Sequence, residues 1–227
     1  MPPPNPTLAP APFRYRTPFM LGMMALGIAL LIHDSITHLG WVSAARWSYG
    51  LFAGYALYAA LARDGLVARL LGFALVAGLA ELVSDAYLVE VTNTLLYPLP
   101  EAMLWDSPRY MPFSWAVVLT QIGYLGWLLL KRLAAWQVGL LLVPASGILI
   151  PLYENWAIRA GWWHYQLAPD WWGVPRYIYL AEALLMLPVP ALLQLALGRG
   201  GRWVPLAGLL EGAAMLLACL VAFTIAG

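Results

Sequence analysis

The chain has 227 residues, of which 63% are hydrophobic and only 10% charged, where an ordinary soluble domain carries roughly a quarter charged residues. Water cannot solvate a surface that poor in charge, so most of the outside must face lipid, and a soluble globular domain is excluded. The net charge of +1 gives no footprint for a nucleic-acid partner, and the lone Cys219 excludes an internal disulfide or a cysteine-built metal site.

In chain order, the Pro-rich stretch Met1–Pro12 cannot form a helix, and residues 1–17 are predicted to be a disordered cytoplasmic tail. Arg14 and Arg16 ahead of an apolar run imitate a signal peptide. No small-residue cleavage site closes that run, so it reads as an uncleaved first span. Apolar windows place spans near 18–38, 44–62, 66–90, 111–130, 136–158, 175–197 and 203–226. The predicted fold is all-α: a polytopic bundle of about seven transmembrane helices, forming one domain over 18–227. Gly40, Arg63-Asp64-Gly65, Lys131-Arg132 and the Gly198–Arg202 stretch supply the breaks, and Pro112 suits the first turn of the fourth helix.

Basic residues orient the bundle. The tail and the even-numbered loops hold Arg14, Arg16, Arg63, Arg69, Lys131, Arg132, Arg199 and Arg202; the other face has Arg46, Arg109, Arg159 and Arg176. An excess of Lys and Arg marks the cytoplasmic side, so the expected protein is a multi-pass protein of the cell (inner) membrane, N-terminus inside and C-terminus outside. The two longest loops, about 91–110 and 159–174, then lie outside. They are rich in aromatics, among them Tyr97, Trp105, Tyr110, Trp162, Trp163, Tyr165, Trp171 and Trp172. Part of that enrichment is the interfacial belt common to membrane proteins.

Acids inside apolar helices are the informative residues: Asp34, Glu81, Asp85, Glu90, Glu154, Glu182 and Glu211. Each acid at mid-membrane opposes insertion by roughly 2.5–3.5 kcal/mol unless it is paired, protonated or facing a polar cavity. The topology puts Glu81, Asp85, Glu154 and Glu182 in the outer half, with Glu81 and Asp85 four apart on one helix face. His33, Asn155, Gln121 and Tyr124 can join this polar cluster from similar or adjoining depth, and His33, Asp34, Asn155 and Tyr124 are candidates for substrate contact. Asp34 and Glu90 are near enough to the interface for solvent to reach them, and Glu211 stands apart in the inner half. Pro144 and Pro151 in the fifth span, and Pro188 and Pro190 in the sixth, are expected to kink those helices around a pocket. The competing reading is that the acids bond neighbouring helices together, with prolines no more frequent than spanning helices tolerate.

One stretch carries a family pattern. Glu154-Asn155-Trp156-Ala157-Ile158-Arg159-Ala160-Gly161-Trp162-Trp163-His164-Tyr165, followed by Gly173-Val174-Pro175 and Glu182, resembles the lycopene cyclase domain of the heterodimeric bacterial enzymes and their fungal fusions. It also resembles the related membrane carotenoid hydratases. The likeness covers about 35 residues, and the first half of the chain shares only the general plan. The family's Asp is Glu154 here, and its Pro-x-Glu-Glu is Leu180-Ala181-Glu182-Ala183, which keeps one acid of the pair. These departures point away from lycopene and toward another isoprenoid.

The residues support compatible chemistry on their own. A buried carboxyl can protonate an alkene, and Trp and Tyr faces stabilise the resulting carbocation without attacking it. Glu154 and Glu182 are the first candidates for acid–base catalysis, with Glu81 and Asp85 next. Asn155 is expected to orient the site, and Trp162, Trp163 and Tyr165 to line or lid it. No metal and no cofactor is implied; the partners expected are a hydrophobic isoprenoid substrate and the bilayer. The result is a cyclase, hydratase or isomerase. Two alternatives stand beside it, a proton-coupled small-molecule transporter and a non-catalytic lipid-binding membrane protein. A retinal protein is excluded because the only lysine, Lys131, lies at a helix end. His33 and His38 lie about 140° apart around a helix, a poor chelating pair better suited to local hydrogen bonds.

Overall fold

The computed structural model describes residues 15–99 and 102–227. The Pro-rich stretch Met1–Pro12 and Arg14 lie outside them. The described chain is an all-α bundle of seven helical rods. α1 spans Arg16–Thr37, α2 Trp41–Leu61, and α3 Gly65–Ala86 with a π-helical turn continuing it over Tyr87–Val91. α4 spans Met111–Leu130 and α5 Ala135–Ala160. The sixth rod is broken into α6 (Arg176–Leu184) and α7 (Val189–Gly198), and α8 is Trp203–Ala226. Six of the rods are long and apolar enough to cross a membrane. The exception is α2, whose first half carries Ser43, Arg46 and Ser48.

The first helix begins at Arg16, inside the segment predicted to be tail. The reason is an ion pair between distant residues: the Arg16 guanidinium meets both carboxylate oxygens of Asp64, Nε to Oδ2 at 2.5 Å and Nη2 to Oδ1 at 2.9 Å. Asp64 is fully buried and also caps α3, accepting from the amides of Leu66 and Val67. One carboxylate thus satisfies two orphan donors of a helix start and a cation. Thr17 and Tyr124 add a 2.6 Å hydroxyl bond, and Lys131 sits 3.5 Å from the centre of the Trp127 ring. This end of the bundle is called the Lys131 end below.

α3 and the broken sixth rod are the most enclosed of the six long apolar rods, and α3 packs chiefly on α4 and α8. A β-carbon at Gly78 would lie 2.5 Å from the carbonyl oxygen of Pro112, so only glycine lets α3 and α4 approach this closely. α1 lies outermost, with 17% of its most apolar window buried, and packs mainly on α5. The prolines act differently in the two helices that carry them. α5 runs unbroken through Pro144 and Pro151. In the sixth rod Pro188 and Pro190 remove two amide donors within one turn, and the helix stops at Leu184 and restarts at Val189.

At the opposite end the two long loops build a lid of three two-residue ribbons, which the all-α expectation did not include. β1 (Leu95–Leu96) pairs antiparallel with β4 (His164–Tyr165), joining the loop before α4 to the loop after α5. β2 (Met103–Leu104) pairs with β3 (Ser107–Pro108), and β5 (Asp170–Trp171) with β6 (Val174–Pro175). Thr94 and Tyr177 share a buried hydroxyl bond of 2.7 Å, and the Gln166 amide donates to the Thr94 carbonyl. Two apolar clusters form the core. One surrounds Tyr55, Phe73 and Leu193, and the other, at the lid, surrounds Trp162, Trp163 and Tyr177.

Candidate functional site

A cavity of about 390 Å³ lies within the bundle, lined by residues of both apolar clusters, a size usual for small-molecule sites. Glu81 and Asp85 reach it from α3, Glu154 from α5 and Glu182 from α6. All four carboxyls are at least nine-tenths buried. They form an electrostatic ring: Glu81 interacts with Asp85 and Glu182, and Glu154 with Glu182 and Asp85. Four acids predicted from depth alone to share one level are therefore brought together around one cavity.

Their surroundings divide them into two kinds. Glu154 accepts at Oε2 from the Trp163 indole at 2.7 Å and the Tyr165 hydroxyl at 3.0 Å. Asp85 accepts at Oδ2 from the Tyr97 hydroxyl at 2.6 Å. These two are orientated acceptors. Glu81 and Glu182 each keep one oxygen, Oε2, with no hydrogen-bond partner among the described residues. One of each kind stands on α3, where Asp85 sits one turn above Glu81, and one of each on the neighbouring helices α5 (Glu154) and α6 (Glu182). Burial, reinforced by the neighbouring carboxyls, pushes the Tyr97 and Tyr165 phenols well above the usual phenol range. Both hydroxyls consequently remain donors.

The walls are aromatic. Trp162, Trp163 and Tyr165 line the cavity as expected from the sequence, together with Trp47, Tyr97, Trp115, Tyr153 and Trp156. The Trp162 indole donates to Ser43 at 3.1 Å, which fixes its ring. Toward the Lys131 end the lining becomes mainly aliphatic, with Met24, Ile28, Ile122 and Leu142, and with Gln121 and Ser146 as polar exceptions.

Four candidates fall elsewhere. Tyr124 does not line the cavity; its hydroxyl is bound to Thr17 at the Lys131 end. Asn155 donates to the Trp172 carbonyl and so holds the β5–β6 ribbon rather than a ligand. His33 is exposed and its ring meets its neighbour Asp34 at 3.2 Å, the local bond expected of it, whereas His38 meets the distant Arg159 carbonyl instead of a local partner. Asp34 is fully buried, not solvated, because the Trp47 indole donates to it at 2.9 Å. It acts on the cavity only through Trp47, a residue the sequence reading passed over. Glu90 is exposed as expected, and Glu211 is fully buried away from the cavity.

Fold and site together define a multi-pass helical membrane protein with an acid-ringed, aromatic-walled cavity inside its bundle. Residues 82–226, more than half of the chain, match a family described as a domain of unknown function (DUF6989), and the protein belongs to that family. Comparison with curated proteins and with solved structures gives no match.

Proposed function

We propose that the protein is a membrane-embedded enzyme that modifies an isoprenoid by proton-initiated chemistry, as a cyclase, hydratase or isomerase. The observation that carries this reading is the convergence of four buried carboxyls from three helices on one aromatic-walled apolar cavity. The resemblance of Glu154–Tyr165 to the membrane carotenoid cyclases points the same way.

The two kinds of acid suggest their roles. Glu182 or Glu81, each with an uncommitted oxygen, delivers a proton to a substrate double bond, whose π electrons form the new C–H bond. The cation left on the adjacent carbon is stabilised by the faces of Trp115, Trp162 and Trp163. Glu154, orientated by two donors, takes a proton from a neighbouring carbon, whose C–H electrons make the new double bond. In a cyclase a second double bond first attacks the cation, its π electrons forming the ring C–C bond and moving the cation to the next carbon. In each case one proton enters and one leaves, and transfer from Glu154 to whichever acid donated restores both. In a hydratase, water adds to the cation and Glu154 takes the proton released. The apolar lining excludes bulk water from competing for the cation.

The seven basic residues at the Lys131 end among those described, against four at the lid end, support a cytoplasmic Lys131 end and an external lid. The test is expression in an isoprenoid-producing host followed by analysis of extracted lipids. A new product is expected, either an isomer separated from its substrate by chromatography or a species heavier by one water, and it is lost in Glu154→Gln and Glu182→Gln. If Glu81→Gln, Glu154→Gln and Glu182→Gln all leave that product unchanged, the reading is wrong. Substrate-driven proton movement across vesicles without a new product identifies a proton-coupled carrier instead.

A further inference from the structure

The two ends of α1 are fastened to different neighbours. At the Lys131 end, Arg16 binds Asp64 before α3, and Thr17 binds Tyr124 on α4. At the lid end, the Gly40 amide just beyond α1 donates to the Ala160 carbonyl at 2.8 Å, and His38 meets the Arg159 carbonyl at 2.6 Å, both at the end of α5. α1 and α5 are therefore joined at the lid and drawn toward different partners at the Lys131 end. Both helices contribute residues that line the cavity and are also exposed. Ile28 of α1 and Ala145, Leu149 and Leu152 of α5 line it and are also exposed on the bundle surface. These rim residues are all aliphatic. The lid end is closed by buried Leu95, Trp162 and Trp163 and by the β1–β4 ribbon.

We infer that the ligand is the flexible hydrocarbon chain of a bilayer-resident polyprenyl lipid, which enters sideways between α1 and α5 and lies with its reacting end toward the carboxyls. This rests on the reading above and adds a route, an orientation and a ligand class. A water-soluble substrate would meet the closed lid. A rigid fused-ring lipid does not match a cavity that runs from an aliphatic rim at mid-helix to acids one to two turns nearer the lid. The gradient of the lining sets the direction. Aliphatic side chains surround the trailing chain, and the acids and indoles meet the leading double bond.

The test uses the full chain in lipid nanodiscs and two C20 polyprenyl alcohols, one with a photoactivatable diazirine near the hydroxyl and one with it at the hydrocarbon terminus. Adducts are mapped by mass spectrometry. Adducts of the probe labelled near the hydroxyl, the leading end, are expected on Trp163, Tyr165, Glu182 or Cys219, and those of the hydrocarbon-terminus probe on Met24, Ile28 or Leu142. Ala145→Trp, at an exposed rim position, is expected to cut the internal adducts at least fivefold. Leu149→Trp gives a second rim variant if the first fails to fold, and Leu217→Trp, on the exposed face of α8, leaves them unchanged. Internal labelling unaffected by both rim variants, or adducts confined to outward-facing side chains, overturns the route; reversed positions overturn the orientation. Internal labelling in a protein that makes no product leaves the route standing and removes the enzymatic reading.

Discussion

Glu154 and Trp163 are nine residues apart, and the indole Nε1 of Trp163 meets Oε2 of Glu154 at 2.7 Å. The chain leaves α5 through Gly161, whose φ of +76° is the left-handed conformation of a helix C-terminus. It then folds back over the acid it has just passed. The turn that closes the lid thus also aims a carboxyl of the cavity.

Trp163→Phe keeps an aromatic wall and removes the donor. Product formation is expected to fall at least tenfold, while stability changes by about 1 kcal/mol, the usual worth of one hydrogen bond. Tyr165→Phe should act similarly. Because both donors serve one oxygen, the double variant should lose less than the product of the two single effects. Lipid extracts measure the first quantity and thermal unfolding the second. An infrared shift of the Glu154 carboxyl band, seen in each variant and absent in Glu154→Gln, reports the lost bond directly.

Asp64 has two tasks that substitution separates. Asp64→Asn keeps an oxygen for the α3 amides and loses the charge facing Arg16; Asp64→Ala loses both. The alanine variant should be less stable than the asparagine one by about 1 kcal/mol, the typical value of an N-cap. A double-mutant cycle with Arg16→Met should show coupling between Arg16 and Asp64 in thermal denaturation. Additive effects would mean that the ion pair contributes nothing beyond the cap.

Glu211 is fully buried in α8, and neither carboxyl oxygen has a hydrogen-bond partner among the described residues. A buried polar group left unsatisfied costs about 1–3 kcal/mol. Glu211→Leu, similar in bulk and apolar, should raise the melting temperature while product formation stays at the wild-type level. A lower melting temperature, or a lost product, would show that the carboxyl has a task the packing does not reveal.

Gly78→Ala should do the opposite. The added carbon would fall 2.5 Å from the Pro112 carbonyl oxygen and 3.0 Å from the β-carbon of Trp115. The backbone cannot yield without moving α4, and overpacking of this kind costs about 1–3 kcal/mol. Trp115 would move with it, so both melting temperature and product yield are expected to drop.

The lid phenols give an alkaline signature. Tyr97 and Tyr165 have raised values in the folded protein, so above pH about 10 the unfolded chain releases their protons more readily than the folded one. The stability they contribute is complete below that pH and is lost as pH rises toward their folded values. Wild-type protein should therefore lose stability steeply above pH about 10, and the double variant Tyr97→Phe, Tyr165→Phe should lose it less steeply. Parallel curves would place the alkaline transition in other groups.

The sequence disclosed depth better than direction. Long apolar windows mark where a helix enters and leaves the bilayer, so the helices begin and end close to their predicted positions, and the four acids could be set at one level. Rotation about each helix axis is set by packing, which a single sequence does not record. Tyr124 shows the difference. It lies three residues beyond Gln121, about 4.5 Å further along α4 and about 60° around it. Gln121 lines the cavity, whereas Tyr124 meets Thr17. Asp34 was placed correctly in depth and misjudged in environment, because its partner Trp47 lies on the next helix. The β1–β4 ribbon was hidden for another reason: two residues on each side give no alternation to read, and their partners lie about seventy positions apart.

The fastening of α1 separates two properties that most enzymes change together. Its ends are fixed by Arg16 and Gly40, neither of which lines the cavity, while Met24 and Ile28 in its middle do. Substitutions around Met24 and Ile28 can therefore widen or narrow the aperture while the acids keep their positions. On the proposed function, the length of chain admitted is set on one helix and the acid–base chemistry on the others.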